Sequence, residues 1–269
     1  MSTAFRGNVV VITGASHGIG EELAIQLAAQ GAKLVLAARR MEELERVAAR
    51  AGAESLSVAT DVANPDACAA LIAAAVARFG RIDTLINNAG VGMWSRVDEV
   101  HDLSIFERVM RVNYLGAVYC TSHALPFLKA SRGRIVCVSS LAGRTGVPLR
   151  SGYSASKHAM AGFFDSLRME IAGSGVTVTL VDPGFVGTGA QGRNLGGDGA
   201  PLGRNPIDVA QAMTTEECAR QTIVAAAARK RELVMTARGK IGLWLKPFAP
   251  WLIDRIASKA MAQVTKKQD

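Results

Sequence analysis

Short apolar runs alternate along this chain with stretches in which apolar positions recur every three or four residues. Val9-Val10-Val11-Ile12 is the first run, β-branched throughout, as expected of a strand covered on both faces in a parallel sheet. Comparable runs follow at Lys33–Ala38, Ser55–Thr60, Ile82–Ile86, Arg134–Val138 and Val176–Val181, with a shorter one at Leu233–Thr236. Between them the spacing turns helical: Ile19, Leu23, Ala24 and Leu27, stopped by Gly31; Leu44, Val47, Ala48 and Ala51 within Met41–Ala51; then Pro65–Phe79 and a long pattern from Leu103 to Leu128. A further helix runs from Tyr153 through Ala159, Ala161, Phe163, Phe164 and Leu167, and Thr214-x-x-Glu217 has the form of a capping box opening a helix to Ala228. Strands alternating with helices predict an α/β fold, a doubly wound parallel sheet of about seven strands with helices on both faces.

A chain of 269 residues, 49% hydrophobic and 20% charged, has enough apolar material for one substantial core, so 1–269 reads as a single domain. Residues 189–212 are glycine-rich with little periodicity, which suits either a substrate lid, extending over 189–230, or disorder. Cys68, Cys120, Cys137 and Cys218 lack Cys-x-x-Cys spacing and sit among apolar residues, which makes them small buried hydrophobes and not a metal site or disulfide framework. The first residues carry no basic and apolar leader, so the expected location is cytoplasmic. The formal charge of +8 is scattered, without aromatic and basic residues interleaved, and points to a solvated surface plus an anionic small molecule, not nucleic acid.

Chemistry concentrates at the ends of the apolar runs. The first run leads into Thr13-Gly14-Ala15-Ser16-His17-Gly18-Ile19-Gly20, and a glycine turn between strand and helix brings backbone N–H groups and the positive helix end to a pyrophosphate. After the second run stand Arg39 and Arg40, with no carboxylate before Glu42; a guanidinium there suits a ribose 2′-phosphate and predicts NADP(H). Asp61-Val62 closes the third run, Asp61 being either an adenine contact or a turn cap before Pro65. Asn87-Asn88-Ala89-Gly90 closes the fourth. Asn113 is an amide among apolar residues, hence either a structural bridge or part of a proton path, since burying it unpaired costs about 1–3 kcal/mol. Tyr153 and Lys157, at i and i+4, share a helix face with Cβ atoms about 5–6 Å apart. An ammonium fixed there lowers the phenol pKa and makes Tyr153 a proton donor and acceptor.

Taken together, Thr13-Gly14-x-x-x-Gly18-x-Gly20, Asp61, Asn87-Asn88-Ala89-Gly90, Asn113, Ser140, Tyr153-x-x-x-Lys157 and Pro183-Gly184 with Thr188 resemble the short-chain dehydrogenase/reductase family from about Val9 to Thr236. The resemblance implies a Rossmann-type fold and a catalytic set of Asn113, Ser140, Tyr153 and Lys157: Tyr153 the general acid and base, Ser140 on the substrate oxygen, Lys157 on the tyrosine and the nicotinamide ribose, and Asn113 holding a relay water. It implies a cofactor cleft lined by Gly14, Ser16, His17, Gly18, Ile19 and Gly20, by Arg39, Arg40, Asp61 and Val62, by Asn87, Ala89 and Gly90, and by Pro183, Gly184, Val186 and Thr188. It further implies a homodimer or homotetramer. Ala38-Arg39 and the C-terminal extension, 238–269, resemble the hydroxysteroid-dehydrogenase-like branch, which implies a lipophilic ketone or secondary alcohol as substrate. Two other functions compete: a cofactor-binding sensor or scaffold without turnover, and reduction of 3-oxoacyl thioesters on an acyl carrier, docked by Arg144, Arg150, Arg193 or Arg204. In the extension, Trp244, Phe248 and Trp251 among basic residues suit a membrane interface; the favoured expectation is packing on the chain's own core or a second subunit.

Overall fold

Every apolar run hydrogen-bonds to another, as buried backbone requires. The computed structural model describes residues 4–189, 191–203 and 212–266. Seven strands, β1 (Val9–Thr13), β2 (Lys33–Ala38), β3 (Ser55–Ala59), β4 (Thr84–Asn87), β5 (Arg134–Val138), β6 (Thr177–Asp182) and β7 (Glu232–Val234), form one sheet in the order β3-β2-β1-β4-β5-β6-β7. All six pairings are parallel. The strand period of two divides β1 between two cores: Val9 and Val11 face one layer, Val10 and Ile12 the other.

The first layer is closed by α3 (Pro65–Phe79), α5 (Gly116–Ser131) and α6 (Ser151–Glu170), which contribute Leu71, Cys120, Leu128, Met160 and Phe164. The second is closed by α1 (Gly18–Ala28), α2 (Met41–Ala51) and α7 (Thr215–Ala227), through Leu23, Leu27, Leu44, Val47 and Ile223. Each fully buried aliphatic side chain contributes about 1.5–3 kcal/mol relative to exposure. All four cysteines are free and buried within these layers.

Local chemistry sets the helix ends. Asn64 Oδ1 accepts from Asp66 N (2.8 Å) and Ala67 N (3.3 Å) ahead of Pro65, fixing the start of α3. Thr214 Oγ1 accepts from Glu217 N (3.2 Å), but the Glu217 carboxylate pairs with Arg220, so only half of the expected capping box forms. The long pattern from Leu103 is not one regular helix. It comprises α4 (Ser104–Met110), a π-helical turn (Arg111–Leu115) and α5, and the inserted turn carries Asn113.

The glycine-rich stretch is tied down where it is described. Leu195 N bonds Gly92 O (2.9 Å), Trp94 N bonds Leu195 O (2.9 Å), His101 N bonds Gly197 O (2.8 Å) and Arg108 Nη2 bonds Gly199 O (3.0 Å). Disorder is therefore not the state of 191–203; residues 190 and 204–211, including Arg204, lie outside the described residues. Beyond β7, α8 (Ala237–Leu245) and α9 (Pro250–Lys266) form the helical C-terminal extension. Ile253 and Met261 are buried, and Lys246 Nζ donates to Arg144 O (2.6 Å). Trp244, Phe248 and Trp251 are 72%, 75% and 65% exposed, so of the tail expected to pack on its own core or a second subunit, the core takes Ile253 and Met261 but not these aromatics. No helix among the described residues is long and apolar enough to cross a membrane.

Candidate functional site

The sheet order reverses direction between β1 and β4, and the strand ends there leave a crevice at the carboxyl edge of the sheet. Its floor is the turn between β1 and α1. Gly14 (φ 67°) and Gly18 (φ 61°) adopt left-handed backbone that side chains disfavour. A Cβ on Gly20 would lie 2.2 Å from the Gly14 carbonyl oxygen, so strand and helix cross only because Gly20 has none. Asn88 braces the turn from β4: its Nδ2 donates to Thr13 O (3.0 Å) and Gly14 O (3.1 Å), while Asn88 N and Ala89 N donate to Thr13 Oγ1 (3.0 and 3.1 Å). No side chain caps α1, so its first N–H groups and positive dipole end face the crevice, a cradle suited to a pyrophosphate.

Around this cradle the charged groups have one sign. Arg39, Arg150, Lys157 and Arg193 are on the cavity wall beside the His17 ring, with no aspartate or glutamate among the described lining. His17 Nδ1 meets Ser16 Oγ (3.0 Å), and Arg193 Nη1 reaches the same ring (3.0–3.1 Å). Burial, with Arg193 and Arg40 adding to it, lowers the His17 pKa, which keeps the ring neutral at pH 7. Arg39 is exposed at the end of β2 and lines the cavity. Arg40 turns to Glu43 (3.8 Å) instead.

Opposite the glycine turn, β5 ends at Ser139-Ser140 and α6 presents Tyr153 and Lys157 one turn apart. Lys157 is 3% exposed and its Nζ donates to Val138 O (2.8 Å), lying 5.8 Å from the centre of the Tyr153 ring. Ser140 Oγ accepts from Ala142 N (3.2 Å), and its hydroxyl acts on the Tyr153 phenol. Burial by itself would raise the Tyr153 pKa; the cations of Lys157 and Arg150 and the hydroxyl of Ser140 outweigh it, and the phenol falls below its usual value of 10. Burial lowers Lys157 in turn. This is a proton source of adjustable charge next to a hydroxyl donor, an arrangement that stabilises negative charge developing on an oxygen.

Asn113 is fully buried in its π-helical turn. Its Oδ1 accepts from Val91 N (2.8 Å), and its Nδ2 donates to Val91 O (2.9 Å) and Ser156 Oγ (2.9 Å). Both amide protons are thus committed to a bridge between the loop after β4 and α6.

Of the residues expected from sequence, Gly14, His17, Gly18, Ile19, Arg39, Ala89 and Gly90 line the cavity, as do Ser140, Tyr153, Lys157, Pro183, Gly184, Val186 and Thr188. Seven do not. Ser16, Gly20, Asn87 and Asn113 are buried behind the wall; Asn87 Nδ2 bonds Thr121 Oγ1 (2.9 Å). Arg40 points to solvent, Val62 is buried, and Asp61 Oδ1 accepts from Ala63 N (3.0 Å), acting as a turn cap. Sequence reasoning missed Trp94, which meets Arg150 beside the cavity, and Asn194 and Phe185 in its wall, because these come from loops without periodicity. Arg150 and Arg193, considered only for carrier docking, are also on the wall, whereas Arg144 is spent on Asp182 (2.9 Å) and Glu232 (3.0 Å).

A family model described as short chain dehydrogenase matches residues 8–195. The chain is 39% identical to "11-beta-hydroxysteroid dehydrogenase A" of Sesamum indicum, over 92% of this chain and 74% of that protein. It is 35% identical to "Dehydrogenase/reductase SDR family protein 7-like" of Dictyostelium discoideum, over 98% and 85%. Among solved structures, a short chain dehydrogenase/reductase from Burkholderia phymatum in complex with NAD superposes with a TM-score of 0.81 at 29% identity, covering 93% of this chain and 96% of that one.

Proposed function

The chain belongs to the short-chain dehydrogenase family, and we propose that it is an NADP(H)-dependent oxidoreductase interconverting a ketone and a secondary alcohol on a lipophilic substrate. The observation that carries this reading is the half-buried Tyr153 in the cavity wall beside Ser140, lowered in pKa by Lys157 and Arg150. A bound nicotinamide supplies or accepts the hydride. The chain's own residues do the rest. Ser140 holds the substrate oxygen, and Tyr153 gives it a proton in reduction or takes one in oxidation. Lys157 favours the phenolate, so the proton moves readily at neutral pH. Asn113 keeps the loop at Val91 and α6 in register, which fixes the distance between the cofactor wall and Tyr153.

The preference for NADP(H) rests on Arg39 and on an all-cationic wall; the solved relative carries NAD, so the phosphate preference is this chain's own test. Apolar lining from Val91, Val138, Phe185 and Val186 suits a lipophilic body. This reading includes a cytoplasmic homo-oligomer, whose tail aromatics contact a subunit or an anionic lipid surface. Carrier docking loses support because Arg144 is already paired.

A screen of lipophilic ketones with NADPH and NADH, followed at 340 nm, tests the whole. Tyr153→Phe is expected to lower kcat at least about a thousandfold with cofactor affinity retained. Cofactor bound by wild type without turnover of any ketone would favour a sensor. Arg39→Asp is expected to reverse the NADPH-over-NADH preference, and an unchanged ratio removes the phosphate assignment.

A further inference from the structure

One cation on the cavity wall helps to lower the Tyr153 pKa and still has no anionic partner among the described residues. Arg150 ends the loop before α6, where Leu149 sits at φ 65°, a left-handed conformation that a leucine adopts only under constraint. Leu149 O accepts from Ser95 N (2.9 Å), which pins this corner against the segment carrying Trp94. The guanidinium lies over three aromatic faces: 4.1 Å from the centre of the Tyr153 ring, 5.8 Å from Trp94 and 5.9 Å from Phe185. Its Nε is buried without a hydrogen-bond partner among the described residues, it forms no ion pair with any of them, and its charge acts on the Tyr153 side chain. The cations Arg39 and Arg193 lie toward the glycine turn with His17, while Arg150 stands with Ser140 and Tyr153.

Resting on the dehydrogenase reading, we propose that Arg150 is a specificity residue that binds a carboxylate of the substrate, so that the favoured substrates are oxo acids, or the matching hydroxy acids, with an apolar body. A guanidinium grips a carboxylate through paired N–H donors, and one stacked on aromatic faces is already oriented to do so. Because Arg150 stacks directly on Tyr153, the carboxylate it holds is one or two carbons from the reacting carbonyl. The carboxylate undergoes no bond change; it is an anchor that orients the carbonyl toward Ser140 and Tyr153.

The probes are phenylglyoxylate and its methyl ester, which carry the same ketone with and without the charge. Wild type is expected to show kcat/KM at least tenfold higher on the acid. Arg150→Met is expected to lose at least tenfold more on the acid than on the ester, the loss on the ester reporting the rise in the Tyr153 pKa alone, and Arg150→Lys to fall between. The ester rate also shows that the variant is folded. A second readout needs no turnover: in a Trp244→Phe, Trp251→Phe background, the emission of the NADP⁺-loaded protein follows Trp94 and changes as phenylglyoxylate is added, and Arg150→Met abolishes the change. An equal loss on both probes, or a wild-type preference for the ester, overturns the assignment. If neither probe turns over, the oxidoreductase reading fails for this class while the emission titration still decides Arg150: a change lost in Arg150→Met supports it, and no change in wild type sinks it.

Discussion

At the scale of single residues, the site depends on how one phenol is charged. Tyr153 lies below its usual pKa because two cations and a hydroxyl outweigh the penalty of burial. A depressed pKa means a larger phenolate fraction at any pH beneath 10. Alcohol oxidation, which needs the phenolate, is therefore expected to rise with pH to an inflection below 10, and ketone reduction to fall through the same value. In Lys157→Met the inflection is expected to move upward and the rate at pH 7 to drop. Steady-state profiles of kcat/KM check both, and an inflection unmoved by the substitution would remove Lys157 from the proton chemistry. Tyr153, Lys157 and Ser140 were legible in the sequence because helical spacing and a strand end fix their positions. Arg150 was visible only as one of four arginines considered for carrier docking: its place over Tyr153 depends on the bend at Leu149, which follows no periodicity.

At the scale of elements, the crossing of β1 over α1 leaves no room for a side chain. Adding a methyl group at Gly20 places a carbon 2.2 Å from the Gly14 carbonyl oxygen and 2.6 Å from Asn88 Nδ2, and neither is a free side-chain end. Gly20→Ala is expected to cost roughly 1–3 kcal/mol of stability and to weaken cofactor binding more than tenfold. Urea titration and cofactor fluorescence measure the two, and unchanged values would mean the turn is softer than its packing indicates. The strands and most helices could be read from apolar runs and periodicity, with β2, α2, α3 and β5 bounded as expected. The π-helical turn could not, because Arg111–Leu115 keeps a helical pattern, and the extra residue serves a bridge from Asn113 to a loop far away in sequence. The strapping of 191–203 onto residues 92–108 was equally hidden, since it is made mainly of backbone hydrogen bonds.

At the scale of the whole molecule, the tail gives the surface its direction. Ile241, Trp244, Phe248, Trp251 and Ile256 are exposed together on α8, α9 and the turn between them. Residues 237–266 hold six basic residues (Arg238, Lys240, Lys246, Arg255, Lys259 and Lys266) against one acidic, Asp254. Two such tails repel one another, whereas an anionic bilayer attracts either. The protein is expected to float with anionic vesicles and not with neutral ones, and Trp244→Ser with Trp251→Ser to stay at the bottom of the gradient; a wild type that stays there too, but sediments as a dimer dispersed by those substitutions, assigns the patch to a second subunit. The amine of Lys246 clasps the carbonyl of Arg144, whose guanidinium holds Asp182 beneath the turn that begins at Ser140. Whatever grips the tail thus also pulls on the rim of the reaction chamber. A protein whose tail is held and one whose tail is free are therefore expected to differ in how firmly that rim is set.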